Sequence, residues 1–207
     1  MKKLFYSLAL ALPAFLGSAC SENTAKTECN AAADNTQAVI ENIMTRASVR
    51  NFTGEAIGSD TLETILKAGM AAPTAMNKQP WAFVVVTERA ALDSLAAVHK
   101  MAHLEKAGAA VVVCADMNRS IEGEGRAFWI QDCSAATENI LLAVHAYGLG
   151  AVWCGVHPIA DRVAGVRAAL DMPDYIIPLN IVTIGHPEGT TEPKDKWNPD
   201  NVHYQKW

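Results

Sequence analysis

The sequence predicts one domain of mixed helix and strand, α+β or α/β, on three observations. Four short Val-rich apolar runs, at 82–87, 109–115, 151–156 and 179–185, have the length and composition of buried strands. Stretches of helical period precede and separate them, at 36–48, 59–71, 87–100, 127–148 and 159–171. The chain has 207 residues, 50% hydrophobic and 19% charged, enough for one sizeable core. The strand runs are nearly continuous rather than alternating, so the sheet should be covered by helices on both faces. A formal net charge of -5, with no basic run interleaved with aromatics, argues against nucleic acid and for a small-molecule partner.

The first segment reads as an export signal: Lys2 and Lys3, a short apolar stretch, then Gly17, Ser18 and Ala19 before Cys20. It is too short, and interrupted by Pro13, to read as a membrane span. Cys20 after Ala19 is similar to a bacterial lipoprotein box, with Leu16 one position further out than usual, so we expect residues 1–19 to be a leader and Cys20 a lipid anchor, with ordinary signal-peptidase cleavage as the alternative. The expected location is outside the cytoplasm, on a membrane surface reached only through that anchor. Residues 20–35 are polar, with no period that could drive burial, and read as a tether; the folded domain is expected over 36–207. Cys29 lies in the tether, Cys114 and Cys133 read as core packing, and the spacings show neither a disulfide framework nor a zinc pattern.

After the 36–48 helix, "TRASVRNF" sets Arg46, Ser48 and Arg50 at alternate positions, which an extended backbone aims to one side. Two guanidinium forks and a hydroxyl suit an anion such as phosphate, each charge-assisted bond contributing roughly 1.5–3 kcal/mol. The same residues also read as a solvated helix end with basic groups favoured by the dipole. The 59–71 helix has Leu62, Ile65, Leu66 and Gly69 on one face. "AAPTAMNKQPW" then joins helix to strand: Pro73 and Pro80 fix its shape and leave its polar groups free to face a ligand, or simply to form a surface loop.

In "HKMAH", His99 and His103 stand at i and i+4 as in a zinc site, but Lys100 occupies the place of the expected glutamate and no third ligand is in reach. They read as two surface histidines near a helix end, and no metal is predicted. The long helix carries Ile130, Cys133, Ala136, Thr137, Ile140, Leu141, Val144 and His145 as one broad stripe, suited to a central core helix or to a dimer interface. "GLGAVWCG" imitates a dinucleotide fingerprint but lies between a helix and a following strand, the reverse of the order that aims a helix N-terminus at pyrophosphate. No nucleophile elbow or phosphate-binding P-loop is present. Lys194 and Lys196 in "EPKDKW" are, alone, an ordinary charged tail.

In order along the chain, these pieces resemble the nitroreductase family of flavin enzymes. Its R-x-S-x-[RK] stretch is similar to Arg46, Ser48 and Arg50, its "PSxxNxQPW" loop to Pro73–Trp81, its strand-to-glycine turn to "VWCGVHP", and its "PKxR" to Pro193–Lys196. The resemblance covers residues 36–207. It implies an α+β fold, a three-layer α/β/α sandwich around a mostly antiparallel sheet, and a homodimer with FMN at the interface, which would give the 127–148 helix an interface role. It further implies that Arg46, Ser48, Arg50, Lys194 and Lys196 hold the ribityl phosphate and one flavin edge. Pro73 and Thr74 would line the site, Asn77 would bond the pyrimidine edge, and the backbone N–H groups of Cys154 and Gly155 would face N5. Thr74 replaces a usual Ser and keeps the hydroxyl; Lys196 replaces a usual Arg and loses the fork.

The implied activity is hydride transfer from NAD(P)H or another donor to a small acceptor such as a nitroaromatic or quinone, by ping-pong turnover, with no catalytic side chain assigned because the flavin carries the chemistry. Reductive dehalogenation or ene reduction is disfavoured by the short 117–129 segment, where larger members insert lid helices and where Phe128 and Trp129 could border the pocket or fill the core. The remaining rival is a flavin-binding surface lipoprotein without turnover, motivated by the scarcity of nicotinamide donors outside the cytoplasm.

Overall fold

The computed structural model describes residues 34–207, so the expected leader, the Cys20 anchor and residues 20–33 of the tether lie outside the described residues. By its contacts the chain divides after Ile40. Of the first unit only 34–40 are described, the opening of helix α1 (34–45); the second unit is Glu41–Trp207. Among the described residues no helix is long and apolar enough to cross a membrane.

The second unit is built on a four-stranded sheet of β1 (Trp81–Val86), β2 (Ala109–Asp116), β3 (Gly150–Gly155) and β4 (Ile176–Gly185), in the order β1-β2-β4-β3. Every pairing is antiparallel. Alternation explains the continuous apolar runs. Val111 and Val113 of β2 face a core shared with α2 (Ser59–Met70) and α4 (Phe128–Ala146), while Val112 and Cys114 face α3 (Arg89–His99) and α5 (Ala160–Ala169). The result is the three-layer α/β/α sandwich that the resemblance implies. The sheet is antiparallel although buried on both faces, an arrangement the run pattern alone associates with parallel strands.

β4 is three residues longer at its start than the apolar run suggests and takes in Pro178, a residue without an amide to donate. A bulge reconciles the two: Val113 pairs with Asn180 but Cys114 with Pro178, leaving Leu179 as the extra residue. The carbonyl of Leu179 accepts from the amides of Val156 (3.0 Å) and His157 (3.0 Å), which fixes where the chain leaves β3.

α4 is the central helix of its layer. Cys133, Ala136, Thr137, Ile140 and Val144 are fully buried within the protomer, so the stripe is consumed by the chain's own core. That face packs the protomer's own core, while Leu142 and Ala143, outside the stripe, are only half-buried. α2 crosses it closely at Gly69, where a Cβ would lie 2.8 Å from Ile140 Cγ1. Trp129 is buried in the same core, whereas Phe128 is exposed, which separates the two aromatics that the sequence leaves together.

Candidate functional site

The segment after α1 is pinned along the outer edge of the sheet. Ser48 forms a parallel bridge with Ala151, and the Val49 amide donates to the Ala151 carbonyl at 2.9 Å. Phe52 bridges Pro187 and is fully buried against Gly185, which has no side chain to obstruct the ring. The chain leaving β4 then runs back along the same segment: Thr53 N donates to His186 O at 3.0 Å and Glu188 N to Asn51 O at 2.9 Å. Two stretches remote in sequence are thereby brought together.

The consequence is a cavity of about 300 Å³ lined by Arg46, Ala47, Ser48, Arg50, Thr191, Glu192, Lys194 and Lys196. Arg46, Ser48, Arg50, Lys194 and Lys196, singled out in the sequence, all lie on its walls. Glu192 joins them without any signal in the sequence, as does Glu138 of α4, whose Oε1 lies 3.3 Å from Arg46 Nε. That contact is an ion pair by distance only, because its angle leaves the buried Nε without a hydrogen-bond acceptor. The guanidinium is held in place by charge yet retains unused donors.

Four residues along β3 from Ala151, Gly155 is exposed, and a Cβ added to it would meet nothing within 4 Å. The hydrogen-bond alternation decides which amides are free. Ala151 directs its carbonyl outward to Val49 and Val156 its amide inward to Leu179, so Gly155 points to the free edge and Cys154 into the β4 ladder. Of the expected Cys154 and Gly155 pair, only the Gly155 N–H is available to a ligand; the Cys154 amide is committed to the sheet. Arg162 of α5 donates Nη1 to the Gly155 carbonyl at 2.9 Å and braces the turn.

The Cys154 side chain turns to the α3 and α5 face, where its Sγ lies 3.1 Å from His103 Nε2. α3 ends at His99, Lys100 takes a left-handed conformation with φ 53°, and His103 sits on a separate 3-10 turn, Ala102–Lys106. The i, i+4 helix face expected for His99 and His103 is therefore broken, and His103 is half-buried rather than a surface residue. Burial raises the Cys154 thiol pKa, partly offset by Thr183, Arg50 and Arg162; burial, with Arg50 adding to it, lowers that of His103.

Pro73, Thr74 and Asn77 do not join this cavity. Their loop precedes Trp81, which pairs through Ala115 to Ile177, whereas Ser48 connects through Ala151 to Ile184. The separation is about 23 Å along the strands and about 19 Å across four strand spacings. Within one chain, Asn77 cannot share a ligand edge with Lys194. The loop is nevertheless tightly formed: Met76, Asn77 and Gln79 all have positive φ (53°, 52°, 49°). It is held by Ala75 N donating to the buried Asp132 Oδ1 (2.8 Å), Gln79 N to Thr74 Oγ1 (3.1 Å) and Gln79 Nε2 to Asn77 Oδ1 (3.0 Å). Left-handed non-glycine residues cost roughly 1 kcal/mol or more each and concentrate where a surface is used.

A three-layer α+β domain with a cationic cavity beside a free glycine amide at a sheet edge defines a small-molecule protein whose ligand carries an anionic group. Comparison with known proteins gives that class a family. The Nitroreductase family profile matches residues 43–106 and 96–186, and the chain belongs to that family. A candidate NADH dehydrogenase/NAD(P)H nitroreductase of Methanothermobacter thermautotrophicus is 40% identical over 171 residues, covering 82% of this chain and 87% of its own. A candidate protein of the same description from Bacteroides thetaiotaomicron superposes with a TM-score of 0.77 at 39% identity, over 82% of this chain and 98% of its own. A candidate nitroreductase from Desulfovibrio desulfuricans, solved in complex with FMN, superposes at 0.72 with 29% identity, over 82% of this chain and 97% of its own.

Proposed function

We propose that the protein is an FMN-dependent oxidoreductase that takes electrons from NAD(P)H or another donor and delivers them to a small acceptor such as a nitroaromatic or quinone, one substrate leaving before the next arrives. The observation that carries this reading is the meeting of Arg46, Ser48, Arg50, Lys194 and Lys196 around one cavity. Four cations against the two carboxylates of Glu192 and Glu138 leave an excess of positive charge that suits a phosphate monoester dianion, and Arg46 Nε has no hydrogen-bond acceptor of its own. Gly155 supplies a free amide and an unobstructed face on which a planar ring can lie. Bound FMN supplies the two-electron redox chemistry; the protein binds, orients and tunes it.

A homodimer completes the site in this reading, with the partner copy presenting its Pro73, Thr74 and Asn77 loop to the ring edge. Support comes from the apolar groups left bare on one protomer: Met44 is 68% exposed, Trp197 73% and Tyr204 78%, and Trp207 is fully exposed. The leader and Cys20 support a lipid-anchored location, checked by palmitate labelling of wild type and Cys20→Ala.

The deciding experiment is flavin titration followed by anaerobic reduction. Arg46→Ala and Lys194→Ala should each weaken FMN binding about tenfold or more, the loss of one charge-assisted bond. Full flavin occupancy in both variants refutes the cavity as the phosphate site. Wild-type flavin that only dithionite reduces, and that reoxidises no faster with nitroaromatics or quinones than with oxygen, replaces turnover with flavin carriage.

A further inference from the structure

The end of β3 presents more than a free amide. In an extended strand the N–H and C=O of one residue point the same way, so Gly155 sends both to the open edge of the sheet. Its carbonyl is taken by Arg162 Nη1 at 2.9 Å, which sets the guanidinium beside the N–H that the flavin ring is read to meet. Arg162 reaches that edge by a short, fixed path. Val156 is fully buried with its amide on Leu179 O at 3.0 Å, and Ile159 N donates back to Val156 O at 3.1 Å, so the chain turns directly from β3 into α5. α5 then lies close on α3, with no room for a Cβ at Gly165 against Val98, and its Val166 is fully buried.

The bond to Gly155 uses Nη1 alone. Arg162 is exposed, and among the described residues no carboxylate forms an ion pair with it, although Asp161 is its neighbour in the first turn of α5. The other arginine of the helix, Arg167, is paired with Asp174. Bracing a carbonyl needs a single donor, which a neutral amide side chain would also supply. An unpaired planar fork, aimed by that bond at the edge where a ring is read to lie, suits a carboxylate.

We propose that Arg162 is a specificity-determining residue that receives the carboxylate of an aromatic acceptor stacked on the flavin, so that acid-bearing nitroaromatics or quinones are preferred to neutral ones. The proposal rests on the reading of Gly155 as the place of the ring. Reach decides between acceptor and donor. Arg162 borders the ring itself, which suits a carboxylate carried directly on a stacked aromatic, whereas the phosphates of a nicotinamide dinucleotide lie beyond a ribose. With FMN bound, its phosphate fills the cationic cavity, and the Arg162 fork is left for a second anion.

The test uses full-chain, FMN-loaded, oxidised protein at low salt. Benzoate and its neutral counterpart benzamide are titrated in while the flavin absorption band is followed, which reads stacking on the ring without turnover. Wild type should bind benzoate about five- to tenfold more tightly than benzamide, a strength between that of an exposed ion pair and that of a charge-assisted bond. Added salt should shrink the preference. Arg162→Gln, which keeps a donor for Gly155 O, should remove the preference and leave FMN affinity unchanged, while Arg162→Lys should retain part of it. In turnover, Arg162→Gln should raise KM for para-nitrobenzoate relative to that for para-nitrobenzamide by the same factor. Equal binding of benzoate and benzamide by wild type, or a preference that survives Arg162→Gln, overturns the proposal and leaves the flavin site intact. FMN affinity lost in Arg162→Gln and Arg162→Lys alike would make the residue a brace of the turn alone, and a KM for NADH that rises with that for para-nitrobenzoate would give the fork to the donor; either overturns the proposal. Wild type that takes up no FMN overturns the reading of Gly155 as well, before any benzoate is added.

Discussion

Gly155→Ala separates the fold from the ligand site more cleanly than any other substitution in this protein. Nothing lies within 4 Å of the Cβ it would introduce, and the residue is an exposed position at the end of an edge strand. Replacing glycine where the backbone tolerates a side chain removes unfolded-state entropy worth about 0.4–1 kcal/mol. For a domain of this size that raises Tm by about 1–4 °C. A planar ring lying on the Gly155 amide would meet the new methyl at once, and overpacking of that kind costs about 1–3 kcal/mol, or about 5- to 150-fold in FMN affinity. The assay pairs a thermal melt followed by circular dichroism on flavin-free protein with a flavin fluorescence titration, and Gly155→Val extends the series with a larger loss. Unchanged FMN affinity in both variants would falsify the placement of the ring on Gly155. A lowered flavin-free Tm would mean that the position is not the open one described.

Three further outcomes follow from the packing and the titrations. Gly69→Ala should destabilise by about 1–3 kcal/mol because its Cβ meets Ile140 Cγ1 at 2.8 Å, and denaturant melts should show a smaller penalty in an Ile140→Ala background. Asp132→Ala should release the 74–79 loop by removing the acceptor for Ala75 N, a loss of about 1.5–3 kcal/mol locally. It should speed tryptic cleavage at the exposed Lys78, which Asp132→Asn, keeping an acceptor, should do less. Burial pushes the Cys114 and Cys133 thiols up to about 12, so both should resist iodoacetamide in the folded protein while the half-buried Cys154 reacts before either of them. The unfolded state sheds these protons near the ordinary cysteine pKa and the folded state does not. Stability should therefore fall as pH rises above about 9, by up to about 1.4 kcal/mol per pH unit per thiol, as measured by urea melts.

What the sequence determined by itself was whatever depends on local period and residue chemistry. Val-rich runs placed four strands, though β4 begins earlier because a bulge accommodates Pro178 and extends the pairing. Alternation at Arg46, Ser48 and Arg50, and again at Lys194 and Lys196, identified side chains that share one cavity, because an extended backbone sends every second residue the same way. Tertiary structure decided what depends on partners distant in the chain. Whether the α4 stripe meets its own sheet or another molecule is invisible in its spacing, since both demand the same apolar face; here Thr137, Ile140 and Val144 are buried at home. His103 and Cys154 lie 51 residues apart and carry no joint pattern; they meet only because a turn after α3 folds over the far face of β3. Asn77 and Lys194 stand in family order along the chain yet at opposite ends of the sheet, because order in sequence does not fix distance across strands, and register does.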